Sequence, residues 1–339
     1  MPTQDDLSDV GMRLYLSVDI EGSTKFKDSL PSIKIDARES EDADGHQEPS
    51  HNSWVTVYKE FFNDFPNIFT KLLGQSATQE KHSTDGLAEQ LKLWKMLGDE
   101  LVFVIPILTE ADAGCTISAF EEAIDNHQSE IRQKHPELRL KGTAWTAGFP
   151  IRNRRVVVDQ PNGDSVEDFL GPDMDIGFRL GKLARPGPIV ASMDLVDILI
   201  GRHYQSNFHC AFVGWKTMKG VFADKPYPVH WLVHKDKGLS LPPWERSVCS
   251  LASGYIEWDN SGEGIEGVKE RISLTRSALN EEEGLDLFSP YLDESDMPES
   301  HVKIHEWLTT NERSELSSVA DFGSDDPHIH ASHDEPPAD

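Results

Sequence analysis

Strongly apolar segments alternate with amphipathic ones over the first two thirds of the chain. Residues 13–20 predict a central strand, and residues 90–107 predict a β-hairpin with Gly98 and Asp99 in its turn. Residues 110–134 place apolar side chains at helical spacing and predict an amphipathic helix. Further strands are predicted near residues 139–149, 154–159, 188–192, 208–214 and 227–234, with helices at about 172–184 and just before residue 200. This β-α-β-β-α-β order predicts an α+β sandwich with helices on one sheet face and extra C-terminal elements.

The remaining segments are more polar or less regular. Residues 53–73 carry large apolar side chains at helical spacing, and Pro66 is predicted to divide them into two helices. Residues 28–52 predict a mobile acidic insertion, and residues 74–89 predict a polar loop. Beyond residue 241 the pattern weakens, with helices predicted at 264–279 and 300–308 and a disordered acidic tail over 312–339.

The composition narrows the classes of function. The 339 residues carry a formal net charge of −27, which argues against a nucleic-acid polymer as partner. No apolar run approaches the ~20 residues of a membrane span, and the polar start of the chain predicts no signal peptide. The three cysteines, Cys115, Cys210 and Cys249, show neither zinc nor disulfide spacing, so we expect a protein of the reducing cytoplasm. A single nucleoside triphosphate fits this charge if a metal and local cations offset the repulsion.

Two aspartates stand at the ends of apolar strand patterns. Asp19 follows residues 13–18, and Asp99 follows residues 91–98. A carboxylate at the tip of a buried strand is unfavourable without a partner, and two on neighbouring strands repel each other unless a divalent cation lies between them. The pair therefore predicts a magnesium or manganese site, beside a Gly22-Ser23-Thr24 turn whose backbone N–H groups can hold phosphate. The alternative is a pair of turn aspartates that cap a helix or a hairpin.

Four segments follow one another along the chain. They are Val18-Asp19-Ile20-Glu21-Gly22-Ser23-Thr24, Lys95-Met96-Leu97-Gly98-Asp99-Glu100, Asp168-Phe169-Leu170-Gly171-Pro172-Asp173-Met174-Asp175-Ile176-Gly177-Phe178-Arg179-Leu180, and Ala184-Arg185-Pro186-Gly187-Pro188-Ile189-Val190-Ala191-Ser192. Together they resemble the class III nucleotidyl cyclases over residues 12–235. The resemblance implies that family's ferredoxin-like βαββαβ sandwich as the catalytic domain, followed by a C-terminal extension over 236–311.

The resemblance implies a metal and phosphate site in the first two segments. Asp19, Asp99 and the carbonyl of Ile20 would hold two Mn²⁺ or Mg²⁺ ions, which ready a ribose 3′-hydroxyl for attack on the α-phosphate. The backbone amides of Gly22, Ser23 and Thr24 would face the β- and γ-phosphates.

Cationic side chains are implied around the same phosphates. Arg179 would place its guanidinium on the charge that develops during attack, and Lys219 or Lys225 would act similarly from a late strand. The family usually has Asn four residues before the arginine, where this chain has Asp175. That charge is unfavourable beside ribose and phosphate unless Arg179 pairs with it at i,i+4, and a surface pair is the alternative reading of both residues.

Lys95 and Asp168 stand where the family selects the base. Alternatively, Lys95 is a strand lysine on the solvent face and Asp168 an ordinary loop carboxylate. The long insertion, the motif around Asp175 and Arg179, and the C-terminal extension look most like the bacterial pyrimidine cyclases of Pycsar antiphage systems, which make cyclic UMP or cyclic CMP. We therefore expect a uridylate cyclase acting on UTP, with a cytidylate cyclase, an adenylate cyclase and a nucleotide sensor without turnover as alternatives. The family also implies a homodimer whose two active sites lie at the interface.

Overall fold

The computed structural model describes residues 10–29, 54–80, 83–161, 163–200, 208–234 and 265–308. The predicted insertion from residue 30 onward and the predicted tail over 312–339 lie outside the described residues. The chain divides into two units, residues 1–294 and 295–339. In the second unit the described residues contain a helix over 299–308, which agrees with the sequence prediction for that segment.

The described residues of the first unit contain a seven-stranded mixed sheet and a two-stranded ribbon. The strands are β1 (Gly11–Glu21), β2 (Lys92–Leu97), β3 (Glu100–Ile107), β4 (Arg139–Phe149), β5 (Arg154–Asp159), β6 (Ser165–Leu170), β7 (Ile189–Ala191), β8 (Phe208–Thr217) and β9 (Pro226–His234). The large sheet has the order β2-β3-β1-β4-β7-β9-β8, and β5 and β6 form the ribbon. Strands β4 and β7 run parallel, whereas the other neighbours in the sheet run antiparallel.

Helices cover one face of this sheet. The helices of the first unit are α1 (Ser23–Ser29), α2 (Trp54–Gln79), α3 (Glu110–Lys134), α4 (Pro172–Leu180), α5 (Met193–Leu199) and α6 (Ile265–Glu283). Alternate residues of β1 enter the main core with the aromatic face of α2 and with α3; among its members are Leu14, Leu16, Val18, Phe61, Phe65, Phe69 and Phe120. The opposite face carries a second cluster around Tyr15 and Trp145, and α4 packs there. The predicted α+β sandwich is confirmed.

The hairpin, the helix over 110–134 and the strands over 139–149 and 154–159 have the predicted bounds. Residues 165–170 form β6, a strand that the sequence analysis did not predict. Its residues Val166 and Leu170 are exposed, so the strand lacks the apolar run that predicts a buried one.

The predicted break at Pro66 is wrong, and so is the polar loop over residues 74–79. Helix α2 continues through Pro66 to Gln79. Fully buried Phe61 and Phe65 lie before the proline and fully buried Phe69 lies after it, all on one side of the helix. Burying such side chains is worth about 2 kcal/mol each, which together exceeds the ~3 kcal/mol penalty of an interior proline.

Candidate functional site

Three charged residues lie side by side across the uncovered face of the sheet. Asp19 on β1 is directly opposite Glu100 on β3 and Lys141 on β4. Residues directly opposite each other on paired strands share a face, and Tyr15, four residues before Asp19, belongs to the cluster on this face. The backbone N–H of Ile20 donates to the carbonyl of Asp99 at 3.3 Å, so the β2–β3 turn lies against the end of β1. We call Asp19, Asp99 and Glu100 the acidic end.

The acidic end is short of positive charge. The ammonium of Lys141 lies 2.8 Å from Oδ2 of Asp19, and both side chains are about three-quarters buried or more. Burial raises the pKa of the Glu100 carboxyl, and the charges of Asp19 and Asp99 act in the same direction. The Ser17 hydroxyl donates to Glu100, and this bond and the charge of Lys141 lower the same pKa without cancelling the rise. Among the described residues, Lys141 is thus the one cation in an ion pair with a carboxylate of the acidic end.

A divalent metal fits this donor set only if it also takes oxygens from elsewhere. In the described part of the chain, no group of three or more His, Cys, Asp or Glu side chains is arranged to hold a metal ion. Two aspartates and a backbone carbonyl are hard oxygen donors of the kind that Mg²⁺ and Mn²⁺ accept, and Mg²⁺ usually completes its shell with water and substrate phosphates. The predicted roles of Asp19, Ile20 and Asp99 stay predictions on this basis.

The turn after β1 requires a glycine. Gly22 has φ of +88°, and a Cβ there would lie 2.9 Å from the carbonyl oxygen of Glu137. Ser23 is buried at the start of α1, whereas Thr24 is exposed. The close contact between this turn and the backbone before β4 fixes its position three residues from Asp19. Phosphate binding by Gly22, Ser23 and Thr24 stays a prediction.

Lys95 and Asp168 meet, although 73 residues separate them. The ammonium of Lys95 lies 2.7 Å from Oδ1 of Asp168, which also accepts the backbone N–H of Phe169 at 2.8 Å. The same ammonium lies 4.3 Å from the ring centre of Trp94, whose ring is 5.2 Å from that of Phe169. Asp168 lies on strand β6 rather than in a loop, and the Trp94 ring packs against the ammonium of the pair.

Helix α4 is anchored to the sheet face opposite α2 and α3 through its first turn and its only interior glycine. Arg152 donates to Oδ1 of buried Asp173 at 2.9 and 3.1 Å, and the side-chain amide of Asn153 donates to Oδ2 at 2.6 Å. One turn later Gly177 lies against the ring of Trp145, closer than any side chain would allow. These contacts fix the helix that carries Asp175 and Arg179.

Arg179 is half-buried and incompletely paired. Among the described residues its Nε has no hydrogen-bond partner, and its terminal nitrogen lies near Gly220 in the β8–β9 connection. Asp175 is exposed, and no ion pair joins it to Arg179 in the described part of the chain, so the i,i+4 pairing considered from the sequence is not present. Among the described residues, the guanidinium thus keeps one unsatisfied donor, which is shielded from solvent.

The two candidate lysines of the β8–β9 connection differ. Lys219 is exposed and precedes Gly220, whose N–H donates to Asp224 at 2.6 Å. Lys225 instead forms an ion pair of 2.7 Å with Glu283 at the end of α6. Of these two lysines, Lys219 is the one next to the contact with Arg179.

The acidic end and the β8–β9 connection lie at opposite ends of the sheet. Asp19 is level with Lys141, whereas Ala144 is level with Ala191 of β7 and His230 of β9. Strand β9 begins at Pro226, which is about seven strand residues from the level of Asp19. At the usual ~3.3 Å per strand residue, this corresponds to about 23 Å. Strand positions within one chain therefore do not bring the acidic end and this connection together.

Sequence reasoning missed Glu100 and Lys141 as members of the site. Glu100 follows Asp99 directly, so its position in the hairpin motif was the available signal. Lys141 carries no local signal, because its contact with Asp19 depends on the register between β1 and β4.

Comparison with known proteins gives only distant structural similarities. No protein-family model matches the chain, and no curated protein is significantly similar to it. The adenylyl cyclase CyaB from P. aeruginosa is 13% identical with a TM-score of 0.43, covering 66% of this chain and 94% of its own. The guanylyl cyclase Cya2 is 14% identical with a TM-score of 0.43, covering 69% and 100%. The guanylate cyclase domain of RhGC from Catenaria anguillulae, in complex with GTP, is 9% identical with a TM-score of 0.41, covering 66% and 97%.

At these identities and TM-scores the similarities carry no argument about function, which depends on the residues of this chain.

None of the helices in the described ranges is both long and apolar enough to cross a membrane.

Proposed function

We propose that this protein is a metal-dependent nucleotide cyclase that converts UTP into 3′,5′-cyclic UMP and pyrophosphate. One observation carries the proposal. The side chains to which the sequence motifs point come from separate segments of the chain, and Asp19, Lys95 with Asp168, and helix α4 with Arg179 gather on the sheet face that α2 and α3 leave uncovered.

The residues on this face match the needs of intramolecular phosphoryl transfer. The ribose 3′-oxygen forms a bond to the α-phosphorus, the bond to the β-phosphate oxygen breaks, and pyrophosphate leaves with that electron pair. When bound by Asp19, Asp99 and the Ile20 carbonyl, a divalent metal would lower the pKa of the 3′-hydroxyl and offset the negative charge of the triphosphate. The planar fork of Arg179 suits the charge that grows on the α-phosphate.

The Lys95–Asp168 pair suits a base edge that carries a hydrogen-bond acceptor as well as a hydrogen-bond donor. The ammonium offers N–H donors to a carbonyl oxygen or ring nitrogen, and the carboxylate accepts from a ring N–H or an amino group, so the pair suits uracil but fits the edges of guanine and adenine as well. The choice of UTP over CTP or ATP, and a role of the product as second messenger in bacterial antiphage defence, follow from the resemblance of the motifs to the Pycsar pyrimidine cyclases.

The separation of about 23 Å along the strands between the acidic end and the β8–β9 connection, beside which Arg179 lies, favours a composite site. In a head-to-tail homodimer with two-fold symmetry, the acidic end of one protomer would face Lys95, Asp168, Arg179 and Lys219 of its partner, and the same contact would occur twice. Such a dimer contains two equivalent sites.

A product assay tests the reaction. Purified protein is incubated with Mn²⁺ and each of the four nucleoside triphosphates, and pyrophosphate and cyclic nucleotide are measured. We expect cyclic UMP from UTP, with at least a hundredfold loss in Asp99→Ala and no change in the matched control Asp85→Ala, which removes an exposed turn aspartate. Tight nucleotide binding without any product would instead identify a sensor, and cyclic AMP or cyclic CMP as the main product would refute the base assignment.

Mixing variants tests the composite site. Asp99→Ala and Arg179→Ala, each inactive alone, are mixed in equal amounts under conditions of subunit exchange. Half of the dimers are then mixed and carry one intact site of two, so recovery of about a quarter of the activity is expected. No recovery, with exchange verified, would place the whole site in one chain.

A further inference from the structure

Lys141 occupies the place where the acidic end needs positive charge. Its ammonium lies 2.8 Å from Asp19, and in the described part of the chain this is the only ion pair formed by a carboxylate of the acidic end.

The pairing of β1 with β4 fixes the contact between Lys141 and Asp19. Antiparallel register places Lys141 directly opposite Asp19, as it places Glu100 on the other side. The side chains of Lys141 and Asp19 are only 20% and 27% exposed. An ion pair shielded to this degree is screened less by salt than an exposed one. Lys141 therefore differs from surface lysines such as Lys303, which is 70% exposed in an i,i+4 pair.

We infer that Lys141 is a resident counter-cation that competes with the divalent metal for Asp19 and so sets the metal affinity of the free protein. The inference rests on the proposed function, because it takes Asp19 as a metal ligand. An ammonium donates to the same carboxylate oxygens that Mg²⁺ or Mn²⁺ would take, and a cation of charge +2 is repelled by a neighbour of charge +1. A metal that binds Asp19 must either displace the ammonium from Oδ2 or share the carboxylate with it, and both weaken metal binding.

Manganese binding without nucleotide tests the inference. Free Mn²⁺ is followed by electron paramagnetic resonance during titration of the full chain as wild type, Lys141→Gln, Lys141→Arg and Lys269→Gln. We expect Lys141→Gln to bind Mn²⁺ at least tenfold more tightly than wild type. Lys141→Arg, which keeps the charge, should stay within threefold of wild type. Lys269→Gln removes the same charge from α6, away from the acidic end, and should also stay within threefold.

A double variant locates the metal. Asp19→Asn combined with Lys141→Gln should not bind Mn²⁺ more tightly than wild type, because the carboxylate that Lys141 contacts has been removed. Equal or weaker binding by Lys141→Gln, or a gain that survives Asp19→Asn, would overturn the inference. Circular dichroism checks folding, and Lys141→Met takes the place of the glutamine variant if that one does not fold.

Failure of this inference and failure of the proposed function have different signatures. Absence of cyclic product with every nucleoside triphosphate defeats the cyclase proposal, whatever the manganese titration shows. Cyclic product from wild type, together with unchanged Mn²⁺ affinity in Lys141→Gln, defeats only the competition.

Discussion

Replacing Gly177 with alanine is expected to destabilise the protein through a single added methyl group. A Cβ at this position would overlap the ring atoms of Trp145, which is 1% exposed. The indole cannot move aside easily, because its ring stacks on that of Tyr15 at 5.4 Å and contacts Phe178 at 5.5 Å. Helix α4 would therefore have to withdraw from the sheet, against the contacts of its buried Asp173.

The size of the effect follows from two opposing contributions. Overpacking a filled core costs about 1–3 kcal/mol, and here the added atom meets a ring with no free volume, so the upper end applies. Replacing glycine by alanine inside a helix returns up to ~1 kcal/mol. We expect a net loss of about 2 kcal/mol in the free energy of unfolding.

Urea denaturation followed by circular dichroism measures this loss. The matched control is Gly181→Ala at the end of the same helix, where a Cβ would meet only the hydroxyl of Thr143 at 3.8 Å and the backbone is already helical. That variant should stay within about 0.5 kcal/mol of wild type or gain stability. Equal stability of the two variants would refute the close packing of α4 on Trp145.

Three further outcomes are expected. Lys95→Ala should raise the KM for nucleotide while changing the free energy of unfolding by less than about 0.5 kcal/mol, because its pair with Asp168 is partly solvated, and steady-state kinetics with urea titration measure both. Arg276→Ala should cost about 3 kcal/mol in the same titration, since Asp194 and Asp197 lose their shared partner between α5 and α6; a loss below 1 kcal/mol would contradict this clamp. Burial, assisted by the charge of a nearby arginine, lowers the pKa of His230 to about 3, so below pH 6.5 the unfolded state binds the proton that the folded state excludes. Wild-type stability should then fall by up to ~1.4 kcal/mol per pH unit more than that of His230→Phe between pH 6 and 4, and parallel pH profiles of the two proteins would refute the assignment.

Local patterns in the sequence were sufficient for much of the scaffold. The helix over 110–134 has its predicted bounds because a capping box of Thr109 and Asp112 marks its N-terminal end, and apolar residues at helical spacing continue towards its C-terminal end. The strand of residues 11–21 follows from the alternation of apolar and polar residues. The hairpin turn at Asp99 follows from the glycine before it, which has a positive φ. Both signals lie in adjacent residues. The positions of the two acidic strand ends therefore follow from local sequence alone.

The contacts between distant residues required the folded molecule. Helix α2 passes through Pro66 because burial of Phe65 and Phe69 outweighs a local penalty, and the contact of Lys95 with Asp168 joins positions 73 residues apart through a strand that the sequence did not reveal. The place of Lys141 opposite Asp19 depends on the register between β1 and β4, and a shift of one residue would turn the lysine to the other face. The helices, the strands and the chemical types of the candidate ligands could be read from the amino-acid sequence, because these depend on neighbours along the chain. Pairing, register and packing depend on residues far apart in sequence, so the contact of Lys141 with Asp19 and the packing of Gly177 against Trp145 emerged only in the folded molecule.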